Sequence, residues 1–283
     1  MLNSPLAGPD FPDVPDVPVV SVITPTWQRE AMLPFAYRSF SQQDVGACEW
    51  IVIDDSDAPS AFMASLHDPR VVYRHVSRRM SIGEKRNLAA DLARAEVIAH
   101  FDDDEFYAPA YLRTMLGQMK AGNADMVKLS AFFLYSRVYG QFAWWDTLRK
   151  SGLHFRWSRQ PMTSLSFPTE HKAFADNHLG YGFSYVYTKR LWAAGPFEPS
   201  SFNEDCAFTQ AACRRGAKLM LVADDVGLCV HVLHAYNTSA SFPQYILPDA
   251  LVARHFPRFA EAMRDMPALT QPFTQPLTQP TSA

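Results

Sequence analysis

From residue 19 to residue 128, apolar runs about five residues long alternate with segments of helical periodicity, a pattern that admits few folds. Strand–helix–strand repeats of this kind return each strand parallel to the last. The expectation is therefore an α/β protein with a mostly parallel central sheet flanked by helices. The spacing predicts strands over 19–24, 50–53, 71–76 and 97–101. It predicts helices over 32–42, 61–67, 83–95 and 109–121, the last opening on Pro109, whose missing N–H is harmless in a first turn. From 131 to 178 the chain is rich in aromatics, including Trp144, Trp145 and Trp157, without a clean period, and no elements are assigned there. Regular signals return as a strand over 183–187, a helix over 203–215 and a strand over 218–222.

Two of the expected strands end in acids. Strand 97–101 runs into Asp102-Asp103-Asp104-Glu105, and strand 50–53 into Asp54-Asp55-Ser56-Asp57. In open α/β sheets the carboxyl edge faces the ligand crevice, so both clusters are expected at one edge, on adjacent strands. Four adjacent acids repel one another unless a cation holds them. Their hard oxygens suit Mg²⁺ or Mn²⁺, and such an ion suits a diphosphate. An acid leaving strand 50–53 could accept the N3–H of a uracil ring. Taken singly, a solvated charge run and an Asx turn explain the same clusters without chemistry.

Three further segments carry candidates. In Ser81-Ile82-Gly83-Glu84-Lys85-Arg86-Asn87, Arg86 could pair with phosphate oxygens; pairing with Glu84 or Asp91 on a solvated face is the alternative for both Lys85 and Arg86, and for Lys85 it is the preferred reading. Glu204 and Asp205 fall where a helix begins; the dipole there favours a charged acid, which can act as a base, although taken alone the segment reads first as plain capping, with Asn203 as N-cap and acids in the first turn. His231 and His234 lack the further ligands of a zinc site. Either could complete the coordination of a carboxylate-bound metal or touch a diphosphate, with His231 ranked first.

Composition excludes several classes. With 48% hydrophobic residues, a net charge of −3 and no basic stripe, the chain can build a large core and is not a nucleic-acid binder on electrostatic grounds. It contains neither the 18 or so uninterrupted apolar residues of a membrane span nor a signal peptide, so a cytoplasmic location is expected. Cys48, Cys206, Cys213 and Cys229 read as reduced packing residues. Pro and Asp repeat over 1–17 and Thr-Gln-Pro repeats within 263–283, both compositions of disordered chain, leaving a single domain over 18–262.

Taken in order, Val20-Ser21-Val22-Ile23-Thr24-Pro25-Thr26-Trp27-Gln28-Arg29, Ile51-Val52-Ile53-Asp54-Asp55-Ser56-Asp57, Lys85-Arg86-Asn87, the acidic run and Glu204-Asp205 resemble the family 2 glycosyltransferases. The resemblance implies the GT-A fold, with a nucleotide-binding half over about 18–128 and an acceptor half over about 129–262. It implies that Thr24, Pro25, Thr26 and Arg29 line the nucleoside site and that Asp55 contacts the base. Asp102 and Asp104 match the DxD positions, with Asp103 between them on the donor. Asp104 would be the direct metal ligand, Asp102 its partner nearer ribose or metal, and His231 a further ligand.

Asp205 falls on the catalytic base, with Glu204 orienting the acceptor or loop. The implied activity is metal-dependent, inverting transfer of a sugar from a nucleotide sugar, UDP first, to a hydroxyl-bearing acceptor such as a saccharide. Gln28 stands where the family often has Asn, and Glu105 where it commonly has Asp. The rival readings are an inactive nucleotide- or carbohydrate-binding protein of the same fold and a sugar nucleotidylyltransferase. The latter should carry a Gly-rich basic loop where Thr24-Pro25-Thr26-Trp27-Gln28-Arg29 stands.

Overall fold

A computed structural model describes residues 17–157, 162–234, 237 and 240–266. The expected arm, save its last residue, and the expected tail beyond Met266 lie outside them. The first half runs β1 (Val20–Thr26), α1 (Leu33–Ser41), β2 (Cys48–Asp54), α2 (Ala61–Ser65), β3 (Val71–His75), α3 (Ile82–Leu92), β4 (Val97–His100), β5 (Phe106–Tyr107) and α4 (Tyr111–Gly122). The second runs β6 (Met126–Ser136), β7 (Gln141–Asp146), β8 (Gly152–Arg156), β9 (Thr163–Phe167), β10 (Val186–Thr188), α5 (Lys189–Ala193), α6 (Glu204–Arg214), β11 (Leu219–Ala223), β12 (Cys229–Leu233), β13 (Tyr245–Leu247), α7 (Asp249–His255) and α8 (Phe259–Asp265).

The central sheet has the order β13-β7-β6-β10-β4-β1-β2-β3. β4, β1, β2 and β3 are parallel neighbours, as the first half's alternation requires. β10 then enters antiparallel between β4 and β6, and β11 and β12 pair parallel with successive stretches of β6. One expectation is corrected: the two acid-bearing strands, β2 and β4, are not neighbours, because β1 lies between them. Their carboxyl ends still share an edge, since Thr26 pairs with Asp54 and Ile23 with His100.

Alternation along the strands divides the core. Val20 and Val22 of β1 join Trp50 and Val52 of β2, packed with Leu33, Ala36 and Phe40 of α1. Ile23, Ile51 and Ile53 belong to the opposite cluster with Ala89 and Ala90 of α3 and Phe208 and Ala212 of α6. Trp50 is fully buried and stacks on Phe40 with centroids 5.7 Å apart. A third cluster, rich in phenylalanine, joins Phe106, Phe133 and Phe142 to Phe256, Phe259 and Met266. Packing therefore continues past 262, where the sequence placed the end of the domain, because Met266 is 3% exposed beneath α8.

α3 starts on a complete capping box between Ser81 and Glu84. Its first turn also seats the loop that leads to α6, Gly83 N–H donating to Ser200 O at 2.9 Å. Among the described residues no helix is long and apolar enough to cross a membrane. All four cysteines are free thiols, three of them buried.

Candidate active site

The carboxyl edge of β1 and β4 opens into a cavity of about 1150 Å³ that reaches the start of α6. Pro25, Thr26, Arg29, Arg86, Asp102, Asp103, Asp104, Glu204, Asp205 and His231 all line it. Residues from distant parts of the sequence are thus brought to one space.

Thr24 and Asp55 are the exceptions: neither is among the residues that line the cavity. Thr24 is fully buried; its hydroxyl donates to Phe101 O at 2.7 Å and accepts from Trp50 Nε1 at 2.8 Å, tying β1 to both neighbours. It lies below the cavity because it shares a face with Thr26 but sits two residues, about 6.6 Å, deeper in the strand. Asp55 has a fully buried carboxylate, which accepts from Lys85 Nζ at 2.7 Å, from Met80 N–H at 2.7 Å and from Arg79. Burial would raise its pKa, but these donors outweigh it and lower the pKa. Asp55 thus holds Arg79 and Lys85, both of which line the cavity. Lys85 is likewise no solvated ion-pair partner: its side chain is 4% exposed and it also donates to Thr26 O at 2.8 Å. Arg79, which sequence reasoning missed, lies 3.8 Å over the ring of Trp27. Its one legible signal was the basic pair Arg78-Arg79 just ahead of the α3 cap.

The acidic run is divided among cations. Thr26 Oγ1 donates to Asp103 at 2.6 Å, and Arg29 reaches Asp103 at 3.3 Å and Asp104 at 2.6 Å. His234 Nε2 lies 3.0 Å from Asp104 as well. Burial works to raise the Asp104 pKa, but Arg29 and His234 drive it far below the usual carboxylate range. Asp102 differs. Burial pushes its pKa up to about 7, with Asp104, Glu105 and Asp103 adding repulsion that Arg86, 3.6 Å away, only partly offsets. Arg86 itself is buried and bonded to Glu204 at 2.5 Å, so the carboxylates it meets are Glu204 and Asp102, not the Glu84 or Asp91 of a solvated face.

Three cavity-lining residues carry buried polar atoms without a hydrogen-bond partner, Arg86 Nε, Asp102 Oδ1 and His231 Nε2, and of these the two that can accept are on Asp102 and His231. Glu105 lies 2.5 Å from His231 Nδ1 and accepts from Val232 N–H at 2.7 Å. Burial would lower the His231 pKa, but Glu105 outweighs it and raises the pKa; in its neutral form, with Nδ1–H given to Glu105, the imidazole has Nε2 left for a metal, oriented by a carboxylate. Asp102 and His231 thus fit a divalent cation. Among the described residues, however, no three acids, histidines or cysteines already converge on one metal position, and Asp104 is paired with Arg29 and His234.

Asp205 stands in the first turn of α6. Its Oδ2 accepts from Gly182 N–H at 2.8 Å and its Oδ1 from Cys206 N–H at 2.6 Å. Asn203 adopts a left-handed conformation (φ 62°) with no side-chain cap, so the plain capping reading does not describe this helix start. A Cβ at Gly182 would lie 2.9 Å from Asp205 Cβ and 3.2 Å from the Arg86 guanidinium, which is why glycine stands there.

The loop carrying Gly182 is held from beneath by buried side chains. Lys128 Nζ donates to His178 O at 2.7 Å, Tyr185 OH to Leu179 O, and Tyr107 OH to Phe183 O at 2.9 Å, while His100 Nδ1 bonds Gly182 O at 2.9 Å. None of these supports was legible in the sequence. Burial pulls the Lys128 pKa down to about 7 against the opposing charge of Asp205. Between that value and its ordinary 10.5, the unfolded chain binds a proton at Lys128 that the folded one does not. The stability tied to Lys128 therefore rises with pH over this window and is lost as pH falls through about 7. Urea midpoints of wild type and Lys128→Met are expected to diverge in favour of wild type as pH is raised across it; parallel midpoints would disprove the assignment.

Residues 21–176, more than half of the chain, match the family described as Glycosyl transferase family 2. The chain belongs to glycosyl transferase family 2. Among curated members, the putative colanic acid biosynthesis glycosyl transferase WcaA of Escherichia coli (strain K12) is 32% identical over 122 residues. That match covers 42% of this chain and 42% of WcaA, so less than half of the relative's length is spanned. Solved structures share the fold at lower identity. Residues 1–349 of S. aureus TarS in complex with UDP-GlcNAc superpose with a TM-score of 0.53 at 16% identity, covering 75% of this chain and 58% of that one. The mannosyltransferase PcManGT from Pyrobaculum calidifontis, in complex with GDP-Man and Mn²⁺, gives 0.53 at 19% identity, covering 91% and 68%. These are GT-A glycosyltransferases, and the large mixed sheet flanked by helices is the fold of this member of family 2.

Proposed function

We propose that the protein is a metal-dependent, inverting glycosyltransferase that moves a sugar from a nucleotide sugar, with UDP as the nucleotide, to an acceptor hydroxyl. The observation that carries this reading is the single cavity in which Asp205, fixed by two backbone N–H groups, shares space with Asp102, Asp104 and His231. In the proposed reaction the acceptor hydroxyl oxygen bonds to the anomeric carbon as the bond from that carbon to the diphosphate breaks. Asp205 takes the hydroxyl proton. Attack from the face opposite the leaving group inverts the centre. Asp102, Asp104 and His231 would hold the divalent cation, Mg²⁺ or Mn²⁺, whose chemistry is to neutralise charge on the departing diphosphate. Arg86 keeps Glu204 and Asp102 in place between the two halves of the site. The choice of UDP rests on the likeness to the TarS complex, since Asp55 is engaged by Arg79, Lys85 and Met80.

Thermal unfolding with UDP, GDP or CMP, each with and without Mn²⁺, tests this. A nucleotide at 100 times its Kd adds about 2.7 kcal/mol, which in a chain of this size raises Tm on the order of 5 °C. UDP with Mn²⁺ should give the largest rise, and chelation should remove both that rise and sugar transfer. A larger rise with GDP would overturn the UDP assignment, and activity unchanged by chelation would overturn metal dependence.

A further inference from the structure

Phe202 is the most exposed large apolar side chain among the described residues, at 71%. It lines the same cavity as Asp205, three positions ahead of it. A phenyl ring left in water forgoes the burial it would ordinarily gain, and a pliant loop would fold it inward. This loop is pinned. Gly83 N–H donates to Ser200 O at 2.9 Å and Ile82 N–H to Ser201 Oγ at 3.2 Å. Ser200 Oγ accepts from Phe202 N–H at 3.1 Å and donates to Phe202 O at 2.9 Å. The approach is so close that a Cβ at Gly83 would stand 1.9 Å from Glu198 O.

The other aromatic rings that line the cavity among the described residues each pack against a neighbour. Arg79 covers Trp27 at 3.8 Å, Phe183 stacks on His231 at 5.0 Å, and Tyr181 packs edge-on against Trp145 at 4.9 Å. The tryptophans prominent in the sequence are committed too. Trp145 and Trp157 lie in the core at 1% and 0% exposure, and Trp144 Nε1 donates to Asp224 O at 3.0 Å.

We propose that Phe202 is the stacking platform for the pyranose ring of a saccharide acceptor, holding one C–H face of the sugar while a hydroxyl reaches Asp205. The inference rests on the reading of Asp205 as the base. Three residues span at most about 10–11 Å even when fully extended, so Phe202 stands within reach of a sugar whose hydroxyl is at Asp205. The apolar face of a pyranose suits an open aromatic ring, and the polar lining toward Asp176 and Gln210 suits its remaining hydroxyls.

The test places 4-fluorophenylalanine at position 202 in the full chain. With UDP and Mn²⁺ bound, the ¹⁹F resonance is followed during titration with methyl glucosides, galactosides and mannosides of both anomers. At least one pyranoside should move it saturably. In transfer to that sugar, Phe202→Ala should raise the acceptor KM about tenfold, the loss of one aromatic contact, and Phe202→Trp should restore it to within about twofold. Ser200→Ala, which frees the loop and keeps the ring, should raise it by a smaller factor. The platform is overturned if no pyranoside moves the resonance while nucleotide remains bound, or if Phe202→Ala leaves the acceptor KM unchanged. Should nucleotide itself fail to bind, the underlying reading of the cavity falls and the platform falls with it.

Discussion

Asp205→Asn is expected to lower sugar transfer about 10²–10⁴-fold, the usual contribution of a positioned base, with nucleotide affinity close to wild type. The argument turns on what the carboxylate touches. Both of its oxygens accept backbone N–H bonds, from Gly182 and Cys206, so the side chain is aimed before any acceptor arrives. Asparagine keeps one acceptor oxygen but turns an N–H₂ toward the second donor. One of the two bonds is lost, and with it the capacity to take a proton. Asp205→Ala removes both bonds and should loosen the Gly180–Gly182 segment, adding a fall in stability that the asparagine variant shows only in part. Single-turnover transfer at saturating donor, read beside Tm and nucleotide affinity, separates these effects. Full transfer by the asparagine variant would end the assignment of the base.

The extent to which this site was legible follows from the range of the contacts involved. Strand ends carrying acids are local signals, and β1, β2, β3 and β4 lie within a few residues of their expected positions because apolar runs bounded by turns define them. β6 was not visible as a strand. It is buried on both faces along nearly its whole length, so its sequence shows no alternation to read. Side-chain partners at long range were equally hidden. Lys85 has acids one and six positions away in its own helix and so reads as a surface residue, whereas its actual partner, Asp55, is brought to it by the β2–α3 packing. The pattern at Thr24 and Thr26 is the same for both residues, and only depth below the sheet edge separates a structural hydroxyl from a cavity one. His100 and Lys128 each support the Gly182 loop from strands whose surroundings are fixed only after β10 inserts between β4 and β6.

Arg86→Met is expected to destabilise the fold by about 3–5 kcal/mol, a large part of the 5–15 kcal/mol that holds a typical domain together. The guanidinium is 5% exposed and bridges buried Glu204 at 2.5 Å and Asp102, 30% exposed, at 3.6 Å, from α3 in the first half to α6 and the β4 edge. Methionine fills the space of the aliphatic stem but leaves both acids without a counter-charge, and the expense arises from the stranded charges, that of buried Glu204 foremost because Asp102 can keep a proton, rather than from lost packing. The double variant Arg86→Met, Glu204→Gln should therefore recover a substantial share of the loss, since one of the stranded charges is gone. A surface pair provides the contrast: Arg190, 81% exposed beside Asp125, should lose no more than about 1 kcal/mol on the same change to methionine. The same substitution also removes the cation that most offsets the repulsion around Asp102, so Asp102 should hold its proton to higher pH and transfer should fall with stability. Urea unfolding of the single and the double variant decides the point: a single variant within about 1 kcal/mol of wild type, or a double variant less stable than the single, would show that Arg86 is not the electrostatic tie between the two halves of the site.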